Sequence, residues 1–147
     1  MSDLGKLYQD AILAHHKAPR HAAALSAPTH RAEGNNPLCG DRVVLTLQVG
    51  QGRVVDVGCE VKGCAICRAS GSMLAEAIAG VELAQAVSLG ERFLDALAGG
   101  PARDGAEAAA GETWGPLGAL LEARRHPNRL RCATLPWEAL QRALRVP

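Results

Sequence analysis

The chain has 147 residues, with 16 Lys and Arg against 15 Asp and Glu, a formal net charge of +1. That near balance gives no global attraction to nucleic acid or to a membrane surface, and the length suits a single domain, read as residues 1–147. Apolar residues make up 48% and aromatic residues only 3%, so the core is expected to be aliphatic and alanine-rich, with helices packed closely.

Leu4, Leu7, Tyr8, Ala11, Ile12 and His15 recur at helical spacing, with Ser2 or Asp3 as cap and Pro19 as stop. Residues 20–35 hold no sustained period and read as an extended, solvated connector. Two strands follow. Val43, Leu45, Leu47 and Val49 alternate along the first, and Val55, Val57, Cys59 and Val61 along the second. Gly50-Gln51-Gly52 between them is a hairpin signal. Asp56 and Glu60 fall on the other side, which predicts one covered face and one wet face.

After Gly63 the period becomes helical. Ile66, Ala69, Met73, Leu74, Ala77 and Ile78 share a face, Ala69-Ser70-Gly71-Ser72 keeps the helix slim, and Gly80 stops it. Residues 81–87 suggest a short helical turn, and 88–98 a short helix capped by Ser88 with Phe93, Leu94 and Leu97 inward. Residues 99–113 are rich in Gly and Ala and read as an insertion loop. A helix over 117–125 is expected to end at Pro127. Thr134 is expected to cap a last helix, with Trp137, Leu140 and Leu144 inward and Glu138 in its first turn. No internal repeat and no second domain is visible. The pattern predicts an α+β fold: a small antiparallel sheet with helices packed on one face.

The five cysteines are an odd number. Met1-Ser2-Asp3 is polar and no apolar run has membrane-spanning length. A cytoplasmic, reducing location is expected, where cysteines bind metal or react more often than they pair. In Asn36-Pro37-Leu38-Cys39-Gly40-Asp41, a thiolate and a carboxylate flank a glycine whose freedom allows them to converge. Cys64 precedes a predicted helix, where the free N–H groups favour thiolate. Cys132 precedes the last predicted helix and lies beside Arg129 and Arg131, whose charge favours thiolate too. Cys39, Asp41, Cys64 and Cys132 together suit a tetrahedral zinc ion, and the same soft donors suit an iron–sulfur cluster. On spacing alone, ordinary buried cysteines remain an equal alternative. Cys59 is in phase with the valines of its strand and reads as a core residue. Cys64-Ala65-Ile66-Cys67 lacks the βαβ context of a redox dithiol, and Cys67 reads as a spare thiol near the site. His15 and His16 read as favourable charge at a helix C-terminus. The basic group of Arg129 and Arg131 marks a candidate surface for docking a partner.

These stretches resemble a known family. Leu7-Tyr8, His15-His16-Lys17-Ala18-Pro19-Arg20, Asn36 to Arg42, Gly63-Cys64-Ala65-Ile66, Ala69 to Met73 and Pro127 to Leu135 occur in the order found in the IscU/NifU N-terminal family of iron–sulfur cluster assembly proteins. Arg131 stands where IscU-type members have histidine, and 99–113 fits the insertion of the SufU branch, so the resemblance is to SufU. It implies the IscU-like α+β fold and carries the ligand role to Cys39, Asp41, Cys64 and Cys132. It further implies zinc and a sulfur-accepting Cys39, with a pyridoxal-phosphate cysteine desulfurase of the SufS kind as donor and cluster assembly proteins as acceptors. The activity would be at most that of a zinc-dependent sulfurtransferase. The scaffold alternative places iron, as a transient [2Fe–2S] cluster, on the same four residues. A structural zinc interaction module is a third reading, against which the aspartate argues. Cys59 and Cys67 stand where the family has an apolar residue and a serine, which leaves Cys67 as an alternative thiol ligand.

Overall fold

The computed structural model describes residues 10–37, 40–99 and 114–145. The predicted start of the first helix, Cys39 and residues 100–113 of the insertion predicted over 99–113 lie outside them. The elements run α1 (Asp10–Lys17), β1 (His30–Asn36), β2 (Asp41–Gly50), β3 (Arg53–Lys62), α2 (Ala65–Ile78), α3 (Leu83–Leu97), a 3₁₀ segment (Gly115–Arg125) and α4 (Pro127–Arg145). The strands form one antiparallel sheet in the order β1-β2-β3. The predicted α+β architecture is the observed one.

β1 was not expected, and residues 30–36 of the predicted connector are a strand. Its sequence, HRAEGNN, has no large apolar residue to show an alternation. Gly34 and Asn36 are nevertheless buried, because α4 lies across them. A Cβ at Gly34 would stand 3.1 Å from Leu135 Cδ1, so only a very small residue fits under the helix. Asn36 pairs with Asp41 in register, so β1 and β2 are successive antiparallel strands. The Gly40 N–H donates to the Asn36 carbonyl (2.8 Å), and Gly40 adopts a φ of +73°, a conformation glycine takes without strain.

β2 and β3 form the predicted hairpin. Gln51 and Gly52 both have positive φ, as a two-residue type I′ turn requires. The expected face of β3 needs correction at its start, because Val54 is buried and Val55 is 62% exposed. A bulge beside Gln48 and Val49 pairs Val49 with Val54 while Gln48 pairs with Asp56. One extra residue in β3 flips the phase there, and Val57 and Cys59 then face the core as expected. The opposite face is only partly wet. Asp56 and Glu60 are exposed, but Thr46 and Gly58 are buried beneath the 21–25 segment. The Leu25 N–H donates to Thr46 Oγ1 (3.0 Å), and a Cβ at Gly58 would collide with the Ala23 carbonyl. The outer edge of β3 is also occupied. The Cys59 N–H donates to the His21 carbonyl (2.7 Å), the Val54 N–H to the Val81 carbonyl (2.9 Å), and the Gly80 N–H to the Val54 carbonyl (2.7 Å).

The helices cover the core face. α2 begins and ends as its apolar period predicts, with Gly80 at φ +83° beyond it. α3 is one continuous helix, so Ser88 is not a cap. The extended residue before it is Glu82 (φ −64°, ψ 145°), whereas the Ser88 hydroxyl lies inside the helix and accepts from Arg92 Nε (3.2 Å). The expected helix at 117–125 is the longer 3₁₀ segment. Pro127 does not end it but opens α4, where proline fits because the first N–H groups of a helix have no intrahelical partner. His126 before it lies outside the helical region (φ −132°, ψ 84°), which the residue before proline avoids. Thr134 and Cys132 therefore lie inside α4, not ahead of it. Pro136 is inside it too, and its missing N–H leaves the Cys132 carbonyl without the usual helical partner. Phe93 packs against Trp114 (ring centroids 5.2 Å apart) and Trp137 (4.6 Å), joining α3, the residue ahead of the 3₁₀ segment and α4. Among the described residues no helix is long and apolar enough to cross a membrane.

Candidate metal centre

Three of the four predicted ligands meet. One donor atom each from Asp41, Cys64 and Cys132 lie within 4.8 Å of one another. Asp41 and Cys132 are buried, and Cys64 is half-buried. The local sequence explains the meeting. Asp41 opens β2 in phase with Val43, Leu45 and Leu47, so alternation turns its carboxylate toward the helices. Cys64 is the N-cap of α2 and leaves its side chain free of any capping bond. Cys132 projects from α4 into the core. Its place in a helix interior, not a junction, is a correction to the sequence reading.

The carboxylate is held at one oxygen and open at the other. Asp41 Oδ1 accepts from the Cys64 N–H (3.1 Å), while Oδ2 is buried with no hydrogen-bond partner. A buried anionic oxygen without a donor is costly, and a cation between it and two sulfurs would satisfy it. Gly63 makes the approach possible, since a Cβ there would overlap Asp41 Oδ1 and lie 2.9 Å from its Cγ. Two sulfur donors and one oxygen donor, with Cys39 a further thiol two residues before Asp41 in the sequence, are a donor set that zinc accepts.

The flanking arginines do not govern Cys132 as expected. Arg131 is exposed on α4 and Arg129 is half-buried. Burial pushes the Cys132 thiol far up from its ordinary range, and the proximity of the Asp41 and Cys64 side chains adds to this. Cys59 behaves as a core residue. It is buried, and burial pushes its thiol up to about 12. Cys67 is also buried and is not one of the three clustered residues. His15 is more than a charge at a helix end. It is buried against Ser72, with Nδ1 2.7 Å from Ser72 Oγ, and the Arg20 N–H donates to the same hydroxyl (2.7 Å).

Sequence reasoning missed two residues that build the centre, Gly63 and Ser70. Ser70 Oγ donates to the Ala133 carbonyl (2.7 Å) and accepts from Trp137 Nε1 (3.1 Å). A hydroxyl between two small neighbours, Ala69 and Gly71, is a weak signal, and the run Ala69 to Ser72 showed only that the helix is slim.

Comparison with known proteins adds the following. The family described as NifU-like N terminal domain matches residues 7–113. The zinc-dependent sulfurtransferase SufU of Bacillus subtilis is 34% identical over 143 residues, covering 97% of this chain and 92% of that protein. The iron–sulfur cluster assembly scaffold protein IscU of Streptococcus pyogenes is 30% identical over 145 residues, covering 99% and 87%. The crystal structure of a SufU from Fervidobacterium islandicum, a candidate cluster assembly scaffold for the SUF system, superposes with a TM-score of 0.82 at 28% identity, over 94% of this chain and 96% of that one. A NifU-like N-terminal structure from Brucella abortus has the same fold, with a TM-score of 0.82 at 24% identity over 98% and 96%.

Proposed function

This chain belongs to the NifU-like N-terminal family of iron–sulfur cluster assembly proteins, and from that premise we propose that it is a zinc-binding sulfur acceptor of the SufU kind. The observation that carries this reading is the buried, unpartnered Asp41 Oδ2 beside the sulfurs of Cys64 and Cys132. In this reading Asp41, Cys64, Cys132 and Cys39 hold zinc. The ion, when bound, supplies the positive charge that keeps thiols deprotonated near neutral pH.

The chain's own groups do the rest. The Cys64 N–H fixes the carboxylate through Oδ1 and leaves Oδ2 for the ion. Burial of Cys132 and Asp41 keeps water from their side of the centre. Cys39 is the residue that receives sulfur. Its thiolate attacks the terminal sulfur of the persulfide on a cysteine desulfurase. A sulfur–sulfur bond forms on Cys39, the bond in the donor persulfide breaks, and the donor cysteine leaves as thiolate. A pyridoxal-phosphate desulfurase of the SufS kind is the donor, cluster assembly proteins are the next acceptors, and the cytoplasm is the compartment. Arg131, exposed on α4, and Arg129 beside it supply a basic surface for the partner.

A second reading is a scaffold that carries a transient [2Fe–2S] cluster on the same residues. It draws on the likeness to the Streptococcus scaffold. Reconstitution with iron, cysteine and a desulfurase separates the two. Zinc-loaded protein is expected to raise desulfurase turnover, with the effect lost in Cys39→Ala. A stable cluster spectrum with no stimulation would establish the scaffold instead. Full zinc retention in all of the Cys39, Asp41, Cys64 and Cys132 alanine variants would end the metal-site reading.

A further inference from the structure

We propose that Ser70 is a positioning residue that holds the two cysteine-bearing helices of the metal centre in register. The inference rests on the metal-site reading above and deepens it. Cys64 caps α2, and Ser70 lies six residues further along the same helix. Its hydroxyl is fully buried and makes two bonds, both to α4. It donates to the carbonyl of Ala133, the residue after Cys132, and accepts from the indole N–H of Trp137. One oxygen therefore ties α2 to α4 on both sides of Pro136.

That location matters because α4 is weak there. Pro136 removes the N–H that the Cys132 carbonyl would otherwise accept from, so the turn carrying the ligand lacks one rung of its ladder. A helix with a missing rung bends easily. The Ser70 hydroxyl supplies an external hold one residue away, and the buried Trp137 ring fixes the next turn against Phe93. Asp41 is pinned to Cys64 by the Cys64 N–H, so α2 already carries the relation between two of the donors. Ser70 extends that relation to Cys132. A donor triangle spanning no more than 4.8 Å tolerates little drift of one helix against the other.

Ser72 provides the control. It lies on the same helix, is buried, and bonds His15 and the Arg20 N–H. None of those partners belongs to the metal centre. Both serine-to-alanine variants lose a buried hydroxyl with two partners, so a general loss of stability weighs on both.

The test uses the full chain as wild type, Ser70→Ala and Ser72→Ala. Cobalt(II) is titrated into metal-free protein, with affinity read by chelator competition and geometry by the d–d absorption bands. Outer groups that orient ligands are typically worth about ten- to a hundredfold in metal affinity. Ser70→Ala is expected to weaken cobalt binding by about that factor and to shift its bands, whereas Ser72→Ala keeps the wild-type spectrum. Hydrogen exchange on the metal-free proteins gives a second reading. Amides of 130–134 are expected to lose protection selectively in Ser70→Ala. Failure of wild type to bind cobalt would overturn the metal site, and the exchange pattern would still decide the role of Ser70. Wild-type affinity, bands and exchange in Ser70→Ala, or equal changes in both variants, would overturn the positioning role.

Discussion

Gly63→Ala is a one-methyl change that tests how the centre is built. A Cβ at residue 63 would overlap Asp41 Oδ1, stand 2.9 Å from Asp41 Cγ and 3.2 Å from its Cβ. The end of a free side chain would swing away at little cost. This carboxylate is buried, and its Oδ1 is the acceptor for the Cys64 N–H at 3.1 Å. Moving it breaks that bond and leaves the amide without its acceptor. Keeping it strains the backbone at Gly63 or β2. Overpacking costs about 1–3 kcal/mol, and a stranded partner of a lost hydrogen bond about 1–3 kcal/mol, so by either route a loss of about 1–3 kcal/mol is expected. Urea unfolding of metal-free protein measures it, with the midpoint falling by about 1 M or more at unchanged slope. Chelator competition should show weaker zinc binding in the same variant, since Oδ2 moves with Oδ1. Gly50→Ala is the control, because its Cβ would meet only Val55 Cγ2 at an ordinary 3.5 Å. A Gly63→Ala protein as stable as Gly50→Ala, with wild-type zinc affinity, would refute the packing argument.

Two more outcomes are expected. Ala75→Pro should destabilise the protein by about 3 kcal/mol or more, because proline lacks the N–H that helix α2 uses and collides with the preceding turn. That turn contains Gly71, where α2 comes so near β3 that a Cβ would lie 2.8 Å from Val61 Cγ2, so the damage should spread into the sheet. Unchanged melting by circular dichroism would contradict the helix's role. The third concerns pH. Burial lowers the pKa of His15 below 6.5, Glu76 opposes this, and Arg20 adds to it. The folded state therefore binds the proton less readily than the unfolded chain. The stabilising share of neutral His15 is complete above about pH 6.5 and is lost as pH falls through the lower folded value. His15→Gln should flatten that part of the stability profile, and an identical profile in the variant would reject the assignment.

The sequence shows the fold wherever large apolar residues keep a period. The β2–β3 hairpin and α2 are legible for that reason, and so is the position of Cys64 at a helix start. β1 is invisible because α4 packs on Gly34 and Asn36, and close approach there demands small residues instead of large ones. The phase of Val55 depends on a bulge, which inserts one residue without altering composition. Pro127 and Thr134 were ambiguous in a different way. Proline both ends and begins helices, and threonine caps only where the backbone is extended, so the backbone of His126 decides what neither residue type can. The clustering of Asp41, Cys64 and Cys132 follows from residue type and family order. The role of Ser70 does not, because it depends on which side of α2 meets α4.

The bonds along the outer edge of β3 restrict how anything else can attach to this molecule. Strand edges with open N–H and C=O groups recruit further strands, from partners or from other copies of the same chain. Here the Cys59 N–H and both polar groups of Val54 are already engaged by the chain itself, through His21, Val81 and Gly80. Val55, exposed at the bulge between them, lies where the strand is locally twisted and poorly shaped for a flat neighbour. Growth of the sheet by templated addition is therefore blocked at this edge. Recognition at these residues has to proceed through side chains instead of strand pairing.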